Sequence, residues 1–169
     1  MQITFKGTII EVFGNQVGQG DQFPNFRVKN CSFEDGYIHD FIKGPCLIIT
    51  VPSLDTPVCD REACSFSDLM VSLNVPNSVL VISKDLPFAL NRWQQTKNRS
   101  NLTLLSDFPY NEAGKNLGVE TSLGLLARAC FVINEERRIS FKHIVPELTN
   151  EPNYDEVLSE LRKVQAQKA

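Results

Sequence analysis

The fold can be predicted from one segment, "CLIITVPSLDTPVCDREACSFSDLMVSL", residues 46–73. It opens with a continuous apolar run rich in β-branched side chains, 46–52, which is typical of a strand buried on both faces of a sheet. From residue 59 to residue 73 the apolar side chains recur at helical spacing. Asp60 and Glu62 lie in the first turn, where the helix dipole favours negative charge. The stretch therefore predicts a buried strand that leads through a proline-containing loop into an amphipathic helix.

The neighbouring segments extend this unit. The run "SVLVISK", residues 78–84, predicts a second buried strand, and a helix follows it with Pro87 in its first turn. A strand at "LTLLSD" and a short helix closed by Gly118 come next. The segments "ARACFVIN" and "RRISFKHIVP" predict a hairpin, and "NYDEVLSELRKVQ" predicts a closing amphipathic helix. At the N-terminus, "ITFKGTIIEVFG" predicts two short strands turned at Gly7.

This order of elements indicates an α/β protein with the thioredoxin fold. A βαβ unit followed by a β-hairpin and a final helix is that fold's order, here with an N-terminal β-hairpin and an insertion around residues 86–126. A chain of 169 residues is expected to form one domain, 1–169.

The composition excludes several classes of partner. The net charge is -3, so neither nucleic acid nor an anionic membrane gains attraction from the chain's overall charge. No stretch approaches the roughly 18 apolar residues of a membrane span, and the N-terminus lacks the apolar core of a signal peptide. A cytoplasmic protein without nucleic-acid or membrane partners is expected.

The five cysteines point to redox chemistry rather than to a structural framework. An odd number without dense, even spacing does not predict the disulfides of a secreted scaffold. In a reducing cytoplasm the cysteines are thiols at rest, so any disulfide is expected to be transient and catalytic. A zinc site is the competing interpretation, and the isolated positions of His39 and His143 argue against it.

Cys59 is the candidate nucleophile. It stands where the loop enters the helix, and there the unpaired N–H groups and the helix dipole both favour a thiolate over a thiol. Thr56, three residues earlier, can turn its hydroxyl toward the same point. Local chemistry alone leaves two interpretations open: a reactive thiolate, or a small buried side chain, which is the usual fate of a free cysteine.

Two motifs resemble those of a known family. Pro52, Thr56 and Cys59 stand in the pattern Pro-x-x-x-Thr-x-x-Cys, which resembles the active-site loop of the peroxiredoxins. The fuller "VPSLDTPVC" and the separate "SKDLPFALNRW", residues 83–93, resemble signatures of the thiol peroxidase subfamily. The segments "LGLLARACFVIN" and "ELTNEPNYDEVLSEL" also resemble its late strand and C-terminal region, so the resemblance spans nearly the whole chain.

The resemblance implies a role for each site residue. Cys59 would be the peroxidatic cysteine, which attacks a hydroperoxide and becomes a sulfenic acid. Thr56 would hydrogen-bond the thiolate and the peroxide, and Pro52 would shield the pocket from water. Arg128 would hold the thiolate and the charge that develops on the peroxide oxygens. From the residues alone, Arg128 could equally form a surface salt bridge.

The resemblance also implies partners. It implies a homodimer, thioredoxin or a similar dithiol as reductant, and a preference for organic hydroperoxides over hydrogen peroxide. It implies no metal, haem or flavin cofactor.

The chain departs from the subfamily pattern at one position. The signature ends in a cysteine, the resolving partner that condenses with the sulfenic acid, and here Gln94 stands there. Cys64 offers a replacement, because "TPVCDREACSF" resembles the bacterioferritin-comigratory type of peroxiredoxin, whose resolving cysteine lies five residues after the peroxidatic one. Five residues of helix span about 7.5 Å and roughly 140°, whereas disulfide Cα atoms lie under about 7 Å apart. The helix start must therefore unwind for Cys64 to react.

Other interpretations stay open. Cys64 could be a core cysteine, with an external thiol resolving the sulfenic acid. The protein could be a peroxide sensor or redox relay that passes its oxidation to another protein. A thioredoxin-like disulfide reductase is the third, and the absence of a Cys-x-x-Cys motif argues against it. Cys31, Cys46 and Cys130 carry no motif, and the last two lie in apolar strands where inert, buried thiols are expected.

Overall fold

The computed structural model of the chain describes residues 1–75 and 79–168. Its strands are β1 (Gln2–Phe5), β2 (Thr8–Phe13), β3 (Arg27–Lys29), β4 (Asp35–Tyr37), β5 (Cys46–Thr50), β6 (Val79–Ser83), β7 (Leu102–Ser106), β8 (Glu120–Thr121), β9 (Ala129–Ile133) and β10 (Ile139–Ile144). Its helices are α1 (Ile38–Phe41), α2 (Pro57–Ser72), α3 (Pro87–Lys97), α4 (Glu112–Leu117) and α5 (Tyr154–Lys168). No helix in these two ranges is long and apolar enough to cross a bilayer.

The predicted buried strand is β5, and it lies inside a seven-stranded sheet. The strand order is β10-β9-β5-β6-β7-β3-β4, in which β5, β6 and β7 run parallel and β9 runs antiparallel to β5. Every residue of β5 is buried. Both faces of this strand are covered, so its sequence is apolar at successive positions instead of alternating.

Two hydrophobic clusters lie on opposite faces of the sheet. On one face, side chains of α2, α3 and α5, such as Phe66, Leu90 and Leu161, pack against the sheet. The helices α2 and α3 share this face because each crosses over between parallel strands with the same right-handed sense. The N-terminal hairpin and α4 cover the other face, with side chains such as Ile10 and Leu117. This is the thioredoxin fold with an N-terminal β-hairpin, as the sequence predicts.

Most predicted elements are confirmed. The N-terminal strands pair antiparallel around a two-residue turn at Lys6 and Gly7, whose φ angles are 52° and 81°. Positive φ at both residues matches the twist of a tight hairpin and explains why glycine stands at position 7. The hairpin of β9 and β10 and the glycine-closed helix α4 are also present. The strand predicted at 78–84 is β6, and position 78 lies outside the described residues.

The edge hairpin of β3 and β4 has no clear sequence signal. Each strand is three residues long, and their pairing extends the sheet beyond β7. Three residues provide only one full alternation of buried and exposed side chains, too few to establish a period of two.

Candidate active site

Cys59 lies where the predicted loop enters α2. Thr56 occupies the N-cap position of α2, Pro57 is the first residue of the helix and Cys59 its third, and the Cys59 side chain is fully buried. The missing N–H of proline is no loss at the first helical position, and its fixed φ suits the helix. The sulfur of Cys59 therefore lies at the positive end of a sixteen-residue helix.

Arg128 points its guanidinium at this sulfur. The residue directly precedes β9, its side chain is buried, and its Nη1 lies 3.3 Å from the Sγ of Cys59. Its Nε and Nη2 donate hydrogen bonds of 3.2 Å and 2.7 Å to the carbonyl oxygen of Leu148. Arg128 therefore lies inside the protein beside the cysteine and does not form a surface salt bridge.

Glu62 completes the buried group. It lies three residues after Cys59, has no exposed surface, and its Oε2 is 3.0 Å from the Nη1 of Arg128. Burial raises the pKa of Glu62 to about 7, although Arg128 lowers it and the charge of Glu151 adds to the increase. Burial alone would lower the pKa of Arg128, but the charges of Glu62 and Cys59 outweigh burial and raise it.

The sequence-based interpretation of Glu62 was incomplete. The sequence assigned it to the first turn as an acid that complements the helix dipole, whereas the structure places it in the core. Its position three residues after Cys59 and four before Phe66 puts all three on one buried helix face. That spacing indicates that Glu62 is buried, whereas its charge is typical of an exposed residue.

A cavity of about 340 Å³ leads to Arg128. Its lining includes Pro52, Thr56 and Val58 from the loop and the helix start, together with apolar side chains of the N-terminal hairpin and of the loop after β10. Most of the lining is apolar, which suits the organic part of a substrate. The structure thus places Pro52, Thr56 and Arg128 around one cavity, next to buried Cys59.

Thr56 directs its hydroxyl hydrogen away from the cysteine. Its Oγ1 donates a 2.6 Å hydrogen bond to the carbonyl oxygen of Ser53. With that hydrogen used, the lone pairs of the oxygen remain free to accept a hydrogen bond from a molecule in the cavity. Thr56 can therefore accept the O–H of a hydroperoxide.

The N-terminal hairpin is attached to the loop that orients Arg128. The carboxylate of Glu147 accepts hydrogen bonds from the hydroxyl of Thr4 (3.0 Å) and from the N–H of Gly7 (2.9 Å). The N–H of Leu148, whose carbonyl binds Arg128, donates to the carbonyl of Thr4. The hairpin thus supports the site and supplies part of the cavity wall.

Cys64 is half-buried and lies away from Cys59. Burial raises the pKa of its thiol, and the charge of Asp60 adds to this, while Arg99 and Lys97 lower it. The five cysteines are free thiols, and α2 is continuous from 57 to 72. In this conformation the two sulfurs cannot bond. The start of α2 must therefore unwind before Cys64 can react with Cys59, as the sequence predicts.

Gln94, at the position where the subfamily signature has a cysteine, is in contact with a cysteine. The Sγ of Cys31 lies 3.7 Å from the Oε1 of Gln94, and the amide nitrogen of Gln94 donates to the carbonyl oxygens of Arg99 and Leu102. Cys31 is half-buried in the turn between β3 and β4. The two residues are 63 positions apart, so nothing in the sequence indicates their contact.

The remaining cysteines, Cys46 and Cys130, are buried in their strands, as predicted. Burial raises the pKa of Cys46 to about 12 and that of Cys130 well above the usual range. Across residues 1–75 and 79–168, no group of three or more His, Cys, Asp and Glu side chains could hold a metal ion.

A polar contact joins α3 to the start of α2. The indole nitrogen of Trp93 donates a 2.8 Å hydrogen bond to Asp60, the residue after Cys59. The Nζ of Lys97, one turn further along α3, lies 3.2 Å from the same carboxylate. Unwinding the first turns of α2 would therefore break contacts with α3.

A thioredoxin fold that buries a cysteine and an arginine together at a helix start defines a thiol-based redox protein. Residues 19–142 match the AhpC/TSA family. A thiol peroxidase of Aquifex aeolicus is 36% identical over 165 residues, 96% of this chain and 97% of the relative. One of Staphylococcus epidermidis is 38% identical over 164 residues, 96% of this chain and 99% of the relative. A solved peroxiredoxin-like protein from Aquifex aeolicus superposes with a TM-score of 0.85 at 36% identity, covering 96% of each chain. The chain therefore belongs to the AhpC/TSA family, and within it to the thiol peroxidases.

Proposed function

We propose that this chain is a thiol peroxidase that reduces hydrogen peroxide and organic hydroperoxides to water and alcohols. The observation that carries the proposal is the 3.3 Å contact between the Sγ of Cys59 and the Nη1 of Arg128 at the start of α2. A buried cation and a helix start together favour a thiolate, which is the nucleophilic form of cysteine. The apolar cavity beside them suits a hydroperoxide with an organic substituent.

The first half-reaction is a displacement at oxygen. The Cys59 thiolate attacks the distal oxygen of ROOH, the O–O bond breaks, and the products are Cys59 sulfenic acid and RO⁻, which takes up a proton to give ROH. Thr56 accepts the peroxide O–H, and Arg128 stabilises the charge that moves from sulfur to oxygen. Pro52 contributes to the wall that limits water at the sulfenic acid.

The second half-reaction regenerates the thiol. In our proposal the thiolate of Cys64 attacks the sulfur of the Cys59 sulfenic acid and releases water after protonation, which leaves a Cys59–Cys64 disulfide. Thioredoxin or a similar dithiol then reduces this bond by thiol–disulfide exchange. The first turns of α2 unwind in between, because an intact helix holds the two Cα atoms too far apart.

Mass spectrometry after one equivalent of hydroperoxide tests this cycle. A Cys59–Cys64 disulfide is the expected product. A stable sulfenic acid at Cys59 would instead indicate an external resolving thiol, and a Cys31–Cys59 disulfide would assign resolution to the cysteine beside Gln94. An unmodified Cys59 under conditions that oxidise another residue would overturn the proposed function itself.

Replacing Cys64 separates the two half-reactions. Cys64→Ser is expected to keep the first oxidation within about twofold of the wild-type rate, because attack involves only the Cys59 pocket. Turnover with thioredoxin should fall by more than about tenfold, and the trapped sulfenic acid should over-oxidise to sulfinic acid more readily. Stopped-flow oxidation and steady-state turnover measure the two rates, with Cys31→Ser as the matched control. Normal turnover of the serine variant would identify a one-cysteine peroxidase.

A peroxide sensor or redox relay is the second candidate function, and Gln94 at the usual resolving position is what favours it. Such a protein would stall after one turnover with thioredoxin and transfer its oxidation to another protein as a mixed disulfide. Sustained turnover with thioredoxin would contradict this alternative.

The wider setting belongs to the same proposal. We propose one domain, 1–169, which works in the cytoplasm as a homodimer. Five free thiols in one chain suit a reducing compartment. Sedimentation of the reduced protein tests the homodimer.

A further inference from the structure

Glu62 is a fully buried carboxylic acid that the mechanism above does not use. Its side chain has no exposed surface, and acidic residues are almost never fully buried unless they are paired. Its Oε2 contacts Arg128, while its Oε1 has no hydrogen-bond partner in the described part of the chain. A buried carboxylate oxygen without a partner destabilises the ionised form. A residue so placed calls for a role beyond packing.

Glu62 and Cys59 share one nitrogen of Arg128. The Nη1 lies 3.0 Å from the Oε2 of Glu62 and 3.3 Å from the Sγ of Cys59. An Nη atom carries two hydrogens. One can therefore point at each partner, while Nε and Nη2 bind the carbonyl of Leu148. The carboxylate thus fixes the rotation of the guanidinium and directs its second Nη1 hydrogen at the sulfur.

The same arrangement offers one cation to two groups that can become anions. A buried site of this kind is most stable when it is neutral overall, since an uncompensated charge in the interior is costly. With Arg128 charged, neutrality requires one anion, either the Cys59 thiolate beside a protonated Glu62 or the Glu62 carboxylate beside a Cys59 thiol. The two groups then titrate as a pair that holds one proton between them.

The other ionisable groups near Glu62 do not supply a second cation. Glu151 adds negative charge, and Cys130 and Tyr154, whose pKa values are raised by burial first and then by Glu62 among others, stay neutral in the neutral pH range. In the described part of the chain, Arg128 is the cation that contacts Glu62. The groups that face Glu62 are Arg128, Cys59, Cys130, Glu151 and Tyr154.

We propose that Glu62 is a positioning residue that orients Arg128 toward Cys59 and holds the proton that Cys59 gives up, so that its protonation state controls how much thiolate the site contains. This inference rests on the proposed peroxidase function for its biological meaning, but not for its test. In the reaction the balance is Cys59–S⁻ + ROOH + Glu62–COOH → Cys59–SOH + ROH + Glu62–COO⁻. The thiolate's negative charge leaves with the alkoxide, Glu62 ionises beside Arg128, and the released proton balances the one that the alkoxide takes up. The buried group stays neutral throughout.

Two substitutions separate orientation from charge. Glu62→Gln keeps an oxygen that can accept from Arg128 and removes the charge, whereas Glu62→Ala removes both. Glu151→Gln is the matched control, since it also deletes a carboxylate near Glu62 but not one in contact with Arg128.

The readout is the alkylation of Cys59 by iodoacetamide in the reduced protein, followed at the Cys59 peptide by mass spectrometry from about pH 4 to about pH 9. The wild type should show two steps, one for each proton of the pair. Glu62→Gln should show one step, with a midpoint lower by about one pH unit than the upper wild-type step, because the thiolate no longer competes with a carboxylate. Glu151→Gln should keep both steps, displaced slightly toward lower pH because one negative charge near Glu62 is lost. A midpoint that is the same in Glu62→Gln and the wild type would overturn the charge-sharing role.

Oxidation by hydroperoxide at a pH where Cys59 is fully ionised tests orientation. Glu62→Ala should react about tenfold more slowly than Glu62→Gln, because Arg128 loses the contact that directs Nη1. Equal rates for the two variants would overturn the orienting role.

A measurement on the wild type keeps the inference falsifiable if the variants do not fold. Alkylation removes the negative charge of Cys59, so Glu62 should release its proton to solvent and become the carboxylate that balances the charge of Arg128. Infrared difference spectra at neutral pH should then show the loss of one protonated carboxylic acid band on alkylation, and an unchanged carboxyl region would contradict the inference. Neither alkylation nor the infrared measurement involves peroxide. Both results would therefore stand even if the protein did not reduce peroxides, so failure of this inference and failure of the proposed function can be told apart.

Discussion

Cys59→Ser is expected to abolish peroxide consumption, with a loss of at least about 10³-fold in the rate of the first oxidation. The serine hydroxyl is not ionised at neutral pH and remains a poor nucleophile even beside Arg128. No other cysteine of the described chain contacts Arg128: Cys46 and Cys130 are buried in strands, and Cys31 and Cys64 contact other groups.

The measurement is hydroperoxide consumption with thioredoxin, its reductase and NADPH, together with a single-turnover assay that needs no reductant. Cys31→Ser is the control, since it deletes a thiol of intermediate exposure and should retain the first oxidation. A residual rate above a few per cent in Cys59→Ser would move the reactive thiol to another position.

Arg128→Met is expected to slow the first oxidation by about 10²-fold to 10³-fold, because the cation that stabilises both the thiolate and the developing charge is lost. Methionine fills much of the same volume without the charge. The variant also leaves Glu62 buried without its cation, a situation that costs about 3–5 kcal/mol of unfolding free energy.

The loss of stability in Arg128→Met should grow with pH. Burial already raises the pKa of Glu62 from 4.5 to about 7 with Arg128 present, and removing the cation raises it further. Above pH 4.5 the unfolded chain releases the proton that folded Glu62 retains, so unfolding becomes easier as the pH rises. Urea titrations at several pH values measure this slope.

A double variant separates stability from catalysis. Arg128→Met combined with Glu62→Gln leaves no buried charge, so it should recover most of the lost stability and its pH dependence without recovering the oxidation rate. Recovery of the rate would mean that Arg128 acts only through packing.

The sequence predicts the elements with long, regular patterns. The run 46–52 predicts β5 because a strand buried on both faces is apolar at successive positions. The spacing after Cys59 predicts α2 because a helix buried on one face repeats its apolar residues with the period of a helix. The resemblance to the peroxiredoxins assigns Cys59, Thr56 and Arg128 to the site. The structure places Thr56 and Arg128 around one cavity, next to buried Cys59.

What the sequence does not predict depends on contacts between distant segments. The charge of Glu62 is compatible with an exposed first turn, and only the position of Arg128, 66 residues later, explains its burial. The contact of Cys31 with Gln94 depends on how the β3–β4 turn packs against α3. Neither contact leaves a periodic trace in the chain.

The hydrogen bond between Trp93 and Asp60 has a further use, because Trp93 is the only tryptophan of the chain. Its indole is half-buried, and its partner is the residue next to Cys59. Any rearrangement that brings Cys59 to Cys64 must move Asp60, so the emission of this indole should change when the disulfide forms. We expect a fluorescence step after hydroperoxide in the wild type, reversal of that step with thioredoxin, and no step in Cys64→Ser. Trp93 is thus an intrinsic fluorescent probe, and its emission can be used to follow the catalytic cycle without a label.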